Sequence, residues 1–216
     1  MEASATLGCR MTDTLRIRRT PTQARSRRTV QRILDAAEVL VGEAGVDAAT
    51  TRAIADRAAV AAPSLYRFFA DRDEVLDAVL ERALLDLDAH AEAAERDWTG
   101  TSIEDFIRLE LELHVAYYEE HPSFVKLWFG GRVSPPVVEE VHARNRALAQ
   151  RARDVLIAAR LVAPTTPEIV FEMLVALGDR ILDMAFSDAR RADRDVIETG
   201  TVAMTAFLER MTRSAD

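Results

Sequence analysis

The chain has 216 residues, 49% of them hydrophobic and 30% charged, with a formal net charge of −8. That is enough to bury a sizeable core in one medium or two small domains, and the composition is that of a soluble globular protein. No apolar run approaches the ~20 residues of a membrane span. No apolar leader segment marks it for secretion. A single cysteine, Cys9, excludes an internal disulfide and fits a reducing cytoplasm.

The overall charge conceals a division. Up to Arg72 there are twelve arginines against eight carboxylates, a net +4, and the remainder carries −12. A basic head on an acidic body implies one anion-binding end and a body that repels nucleic acid.

Residues 1–24 mix Thr, Arg, Ser and Pro without helical periodicity and read as a flexible basic arm. With Arg25, Arg27 and Arg28 beside it, such an arm adds salt-sensitive phosphate contacts or reaches into a minor groove. Val30, Ile33, Leu34, Ala37, Leu40, Val41 and Ala44 recur at three- and four-residue steps, predicting a helix over about 26–44 that Gly45 ends. The stretch from Thr50 to Phe69 predicts two short helices with a tight break at Ala59-Val60-Ala61. Thr50 is the N-cap of the first, and Pro63 suits the first turn of the second. With Leu65, Phe68 and Phe69 turned inward, Ala62, Ser64, Tyr66 and Arg67 face out, a width that a DNA major groove admits. The bland alternative is a pair of core helices that read no groove. Asp71 with Glu74 makes a capping box for the next helix.

Thr50, Ile54-Ala55, Leu65-Tyr66, Phe69, Arg72 and Leu76, in this spacing, resemble the TetR family of bacterial repressors over roughly residues 29–80. Two residues depart from the family's usual run. Ala59 stands where a turn glycine is usual, and Ala61 where a capping serine is usual; each change costs on the order of 1 kcal/mol. The resemblance implies an all-α protein of about nine helices: a three-helix helix-turn-helix domain over 25–70, with the motif at 50–69, then a helical ligand-binding and dimerisation bundle over 71–216. It also implies a double-stranded DNA operator as partner. Thr50, Thr51, Arg52, Tyr66, Arg67 and Arg72 are then expected mostly at phosphates. Ala61, Ala62, Pro63 and Ser64 approach the base edges, with Arg67 also placed to read them.

Further along, Thr101 with Glu104 caps a helix reaching about Glu120, and His121-Pro122 breaks it. A short helix follows, and Ser134-Pro135-Pro136 starts a longer one. Thr165 or Thr166 caps the next, which carries Glu168, Glu172, Asp179 and Asp183 on one narrow polar stripe and is apolar elsewhere. The last helix shows Ile197, Thr201, Met204, Leu208 and Met211 at coiled-coil spacing. Surplus apolar surface on these two helices points to a four-helix homodimer interface that includes Leu177, Ile181, Met184, Ile197, Met204, Leu208 and Met211. The alternative is a single well-buried helix in a monomer.

No phosphate-cradling glycine loop, cysteine metal site or serine-nucleophile elbow is present, so neither an enzyme nor a cofactor or metal is expected. A pocket for a small apolar or aromatic effector is implied by the resemblance. Its expected lining is His114, Tyr117, Tyr118, Phe124, Trp128, Phe129, Phe171 and Leu174. A helical carrier or enzyme that never touches DNA is the competing reading.

Overall fold

The computed structural model describes residues 23–130, 134–187 and 191–213. Among these the fold is all-α. The helices are α1 (Ala24–Ala44), α2 (Thr51–Arg57), α3 (Ala62–Tyr66), α4 (Arg72–Arg96), α5 (Ile103–Glu120), α6 (Pro122–Trp128), α7 (Pro135–Ala158), α8 (Glu168–Ala185) and α9 (Arg194–Arg213). A 3₁₀ turn, Val46–Ala48, follows α1. Residues 1–22 of the expected arm lie outside the described residues, whereas Arg25, Arg27 and Arg28 sit on the first turns of α1.

Several helix ends follow local chemistry. Gly45 closes α1 at φ 88, a conformation open to glycine. The Thr50 hydroxyl accepts from the Ala53 amide at 3.2 Å. At the start of α4, Glu74 N–H donates to Asp71 Oδ1 at 2.9 Å, and the Glu74 carboxylate accepts from Ala70 N–H at 2.5 Å. Two caps differ from expectation. The α5 cap is Ser102, whose hydroxyl accepts from Asp105 N–H at 3.0 Å; Asp105 in turn accepts from the amides of Thr101 and Ser102. For α8 the N-cap position falls to Pro167, with no side-chain cap, and Thr166 is buried.

The chain divides into two compact units, one of residues 1–86 and 121–137, the other of 87–120 and 138–216. The first unit extends well past the expected 25–70 domain. Its core gathers Val30, Ile33, Leu34, Val41, Ile54, Leu65, Phe68 and Phe69. The early turns of α4 join it because Arg82 donates to Asp35 at 2.7 Å and also to Glu38. The short α6 joins because Lys126 Nζ donates to the last carbonyls of α1, Gly42 at 2.7 Å and Val41 at 3.3 Å, where a cation suits a helix C-terminus.

The second unit packs α5, α8 and α9 together. Arg108 bridges to Glu198, and Arg194 to Glu112, tying α5 to α9. Two further pairs join the end of α4 to α7. Arg144 Nε meets both Asp88 oxygens at 2.9 and 3.0 Å, and Arg151 Nε meets Glu95 at 2.7 Å. No helix among the described residues is long and apolar enough to cross a membrane.

Candidate DNA-binding face and effector cavity

In the first unit, α2 and α3 form a helix-turn-helix. The turn leaves Ala58 in a right-handed conformation and swings Ala59 to φ 49, a region that costs a residue with a Cβ. Arg32, on α1, donates through Nη2 to both the Ala58 and Ala59 carbonyls, holding the turn from outside. Val60 N–H closes it onto the Ala55 carbonyl at 3.0 Å. Arg57 and Glu43 form a two-point ion pair at 2.8 and 3.1 Å that fixes α2 to α1.

Leu65, Phe68 and Phe69 point inward, as their spacing predicts. Ala61, Ala62, Pro63, Tyr66 and Arg67 are exposed, and Ser64 is half-buried. Ala61 occupies the N-cap of α3 without a capping side chain. On the same outward side the Thr51 hydroxyl and the Tyr66 hydroxyl are hydrogen-bonded at 3.2 Å, joining α2 to α3. The Arg67 guanidinium lies 4.5 Å from the centre of the Phe68 ring. Thr50 and Arg52 are exposed, and Arg52 stands 3.9 Å from Asp56. Arg72 is half-buried, with Nε 3.4 Å from Asp73.

A cavity of about 60 Å³ opens within the second unit. Its walls come from α5 (Phe106, Ile107, Leu111), α7 (Leu148, Ala152), α8 (Leu174, Val175, Gly178, Leu182) and α9 (Met204). Three polar side chains interrupt them: Glu110 and His114 of α5 and Asp179 of α8. Burial raises the Glu110 carboxyl to about 8, and the neighbouring Glu95 charge adds to the shift. Burial also lowers His114 to about 4, leaving it neutral, with Nδ1–H donating to the Glu110 backbone carbonyl at 2.7 Å. Asp179 is raised by burial too, opposed by a 2.7 Å hydrogen bond from Asn145.

Of the residues expected around a ligand, His114 and Leu174 line this cavity. Tyr117, Tyr118 and Phe171 are buried elsewhere in the same unit. Tyr118 stands edge-on to His114 and Phe186, its hydroxyl raised by burial and then by the Asp179 charge. Phe124, Trp128 and Phe129 belong to the first unit, where Phe124 and Trp128 stack at 5.8 Å. The expected aromatic wall is thus mostly aliphatic, with the Phe106 and His114 rings among it. Glu110, outside the expected lining, lies one turn from His114 on the same helix face. Asp179 belongs by spacing to the narrow polar stripe of α8, which packing breaks: Glu168 and Glu172 are exposed while Asp179 lines the cavity.

The expected dimer residues divide as well. Ile197, Met204 and Leu208 are at most 5% exposed and pack inside their own unit, so the coiled-coil seam of α9 faces inward. Ile181 is half-buried, and a methyl added at Gly200 would lie 2.6 Å from its Cγ2, so this glycine serves a close α8–α9 approach within the chain. Leu177, Met184 and Met211 are exposed, in company with Ile169, Met173 and Val202.

Residues 33–79 match the bacterial regulatory proteins of the tetR family, and residues 102–208 match the tetracyclin repressor-like C-terminal domain. The tetracycline repressor protein class A from transposon 1721 of Escherichia coli is 31% identical over 119 residues, 55% of this chain and 53% of that protein. The chain therefore aligns with about half the length of that curated relative. A TetR-family transcriptional regulator from Streptomyces coelicolor superimposes with TM-score 0.64 at 27% identity, covering 85% of this chain and 99% of the other. SmeT, the repressor of the Stenotrophomonas maltophilia multidrug efflux pump SmeDEF, gives TM-score 0.63 at 22% identity over 85% and 91%. The fatty acid degradation regulator FadR from Bacillus halodurans gives 0.67 at 14% over 82% and 94%, a likeness of fold. A helix-turn-helix in the first unit, a helical bundle with a cavity in the second, and a match to each part lead to one conclusion: the chain belongs to the TetR family of bacterial regulatory proteins.

Proposed function

We propose that the protein is an effector-responsive transcriptional repressor that binds a pseudo-palindromic DNA operator as a homodimer in the bacterial cytoplasm. The observation that carries this reading is the outward face of α2 and α3, where Thr51 and Tyr66 bridge the two helices and small side chains leave α3 free to enter a groove. Ala62, Pro63 and Ser64 lie closest to base edges, Arg67 reads or anchors, and Thr50, Arg52, Tyr66 and Arg72 bind phosphates. Arg25, Arg27 and Arg28 add phosphate contacts from the first turns of α1.

The second copy docks on the exposed apolar stripe of α8, Ile169, Met173, Leu177 and Met184, continued by Val202 and Met211 of α9. Pairing places two reading helices about 34–36 Å apart, one turn of duplex. An effector in the α5–α8 cavity releases DNA only by preferring a dimer geometry with another head spacing. A fluorescence-anisotropy titration of the purified protein against its own upstream region and against random duplex, at fixed salt, tests the reading. Preference for the upstream duplex supports it; equal or no binding to both refutes it.

A further inference from the structure

We infer that the cavity of the second unit takes a compact apolar molecule carrying a protonated amine, held by Glu110, Asp179 and His114. The inference rests on the cavity being the effector site proposed above.

Size sets the first limit. A water needs roughly 10–15 Å³ of such space, so about 60 Å³ admits a chain or small ring of about five non-hydrogen atoms before any wall moves. The walls are aliphatic apart from Phe106, and no lysine or arginine lines them. An anionic ligand would meet two carboxyl groups and no cation in the lining, Arg144 and Arg151 nearby being paired with Asp88 and Glu95, which a low-dielectric site penalises heavily.

The polar groups present acceptors. His114 spends its Nδ1 proton on the Glu110 carbonyl oxygen, which leaves the Nε2 lone pair. Asp179 Oδ2 takes the Asn145 amide, and its other oxygen remains. Glu110 Oε1 is shut off from solvent and has no hydrogen-bond partner among the described residues. Glu110 and His114 of α5 and Asp179 of α8 line the same cavity, three acceptor groups for the three N–H donors of an alkylammonium.

The Glu110 carboxyl shares a side-chain hydrogen bond with Glu95 of α4, and the other charged groups around it pair among themselves. Glu95 of α4 holds Arg151 of α7, which also nears Glu92; Arg144 of α7 holds Asp88; and α9 contributes Met204 to the lining. Burial keeps the proton on Glu110 up to about pH 8. An incoming ammonium forms its hydrogen bond to the carboxylate while the Glu110 proton leaves to the buffer, so one proton is released for each amine bound. Affinity for the amine therefore rises with pH below about 8, because the proton and the ammonium compete for one carboxylate.

Isothermal titration of the full-length protein with n-butylamine, 1-butanol and butyrate at pH 6, 7 and 8 tests this. The amine is expected to bind at least tenfold more tightly than the alcohol at pH 8, with no binding of butyrate. Amine affinity should rise about tenfold from pH 6 to 7. Buffers of different ionisation heat should report about one proton released at pH 6 and 7 and about half a proton at pH 8. Glu110→Gln should abolish the proton release and the preference for amine, and Asp179→Asn should reduce the preference alone. Equal affinity for amine and alcohol, tightest binding of butyrate, unaltered proton release in Glu110→Gln, or no heat from any probe would each overturn the inference. Operator release, followed separately by anisotropy, divides the two readings. Amine binding that leaves DNA bound keeps the inference and removes the effector role. Release by a ligand without a basic nitrogen does the reverse.

Discussion

Arg32 on α1 donates to the carbonyl of Ala59, which sits at φ 49 in the turn of the helix-turn-helix. The turn needs a left-handed residue, and here a side chain from another helix holds an alanine in that state. Ala59→Gly removes the Cβ penalty and is expected to raise stability by about 1 kcal/mol. Arg32→Met forfeits two charge-assisted hydrogen bonds and is expected to lower stability by about 1.5–3 kcal/mol. Urea denaturation of each variant measures both, and a destabilised Ala59→Gly would refute the account of the turn.

Arg67 lies over the Phe68 ring at 4.5 Å with its side chain exposed. Arg67→Ala is expected to weaken operator binding by about 1–3 kcal/mol if the guanidinium reads a base. A gel-shift titration at fixed salt checks this. Comparing the wild-type and variant slopes of log affinity against log salt then separates a base contact from a phosphate contact, which would lower the slope by about one.

Stability of the second unit should fall as pH rises between about 6.5 and 8. Glu110, raised to about 8, holds its proton in the folded state where the unfolded chain has lost it, so its contribution declines from the unfolded carboxyl value up to about 8. His114, lowered to about 4, acts in the opposite direction: stability rises with pH from about 4 to about 6.5 and is flat above. The two slopes offset each other below about 6.5, and above it the Glu110 slope is no longer opposed by His114. One group limits the slope to about 1.4 kcal/mol per pH unit. Urea midpoints at pH 6.5, 7.25 and 8 should decline in the wild type and level out in Glu110→Gln.

The dimer should depend on the outer stripe of α8 and not on the α9 seam. Leu177 and Met184 are 38% and 49% exposed. Leu177→Glu combined with Met184→Glu is expected to give a folded monomer, seen as half the mass in sedimentation equilibrium with unchanged helical circular dichroism. Leu208, with no exposure, should unfold the bundle when changed to Glu. A dimer that survives the double substitution removes α8 from the interface.

Gly200 admits the Ile181 side chain where an added methyl would stand 2.6 Å from Cγ2. Gly200→Ala is expected to cost about 1–3 kcal/mol through overpacking, despite the better helix propensity of alanine. Thermal melting measures the loss, and a higher midpoint would contradict the close α8–α9 approach.

The sequence by itself determined what local chemistry governs. Val30, Ile33, Leu34 and Val41 announce α1, Gly45 ends it, Thr50 caps α2, Asp71 with Glu74 opens α4, and Ala59 marks the strained turn. Each depends on neighbours within about five residues, so spacing alone carries the information. Tertiary structure decided which surface each apolar face meets. Phe124 and Trp128 read as pocket walls until Lys126, on the same short helix, is seen capping the end of α1 in the first unit. The Ile197–Met204–Leu208 seam has the period of a dimer contact but is consumed by its own bundle, while Met173 and Leu177 remain uncovered. Asp179 shares a stripe with the exposed Glu168 and Glu172 yet opens into the cavity, because Asn145 from α7 meets it there. Periodicity states that a face is buried; only the packing of distant helices states what buries it.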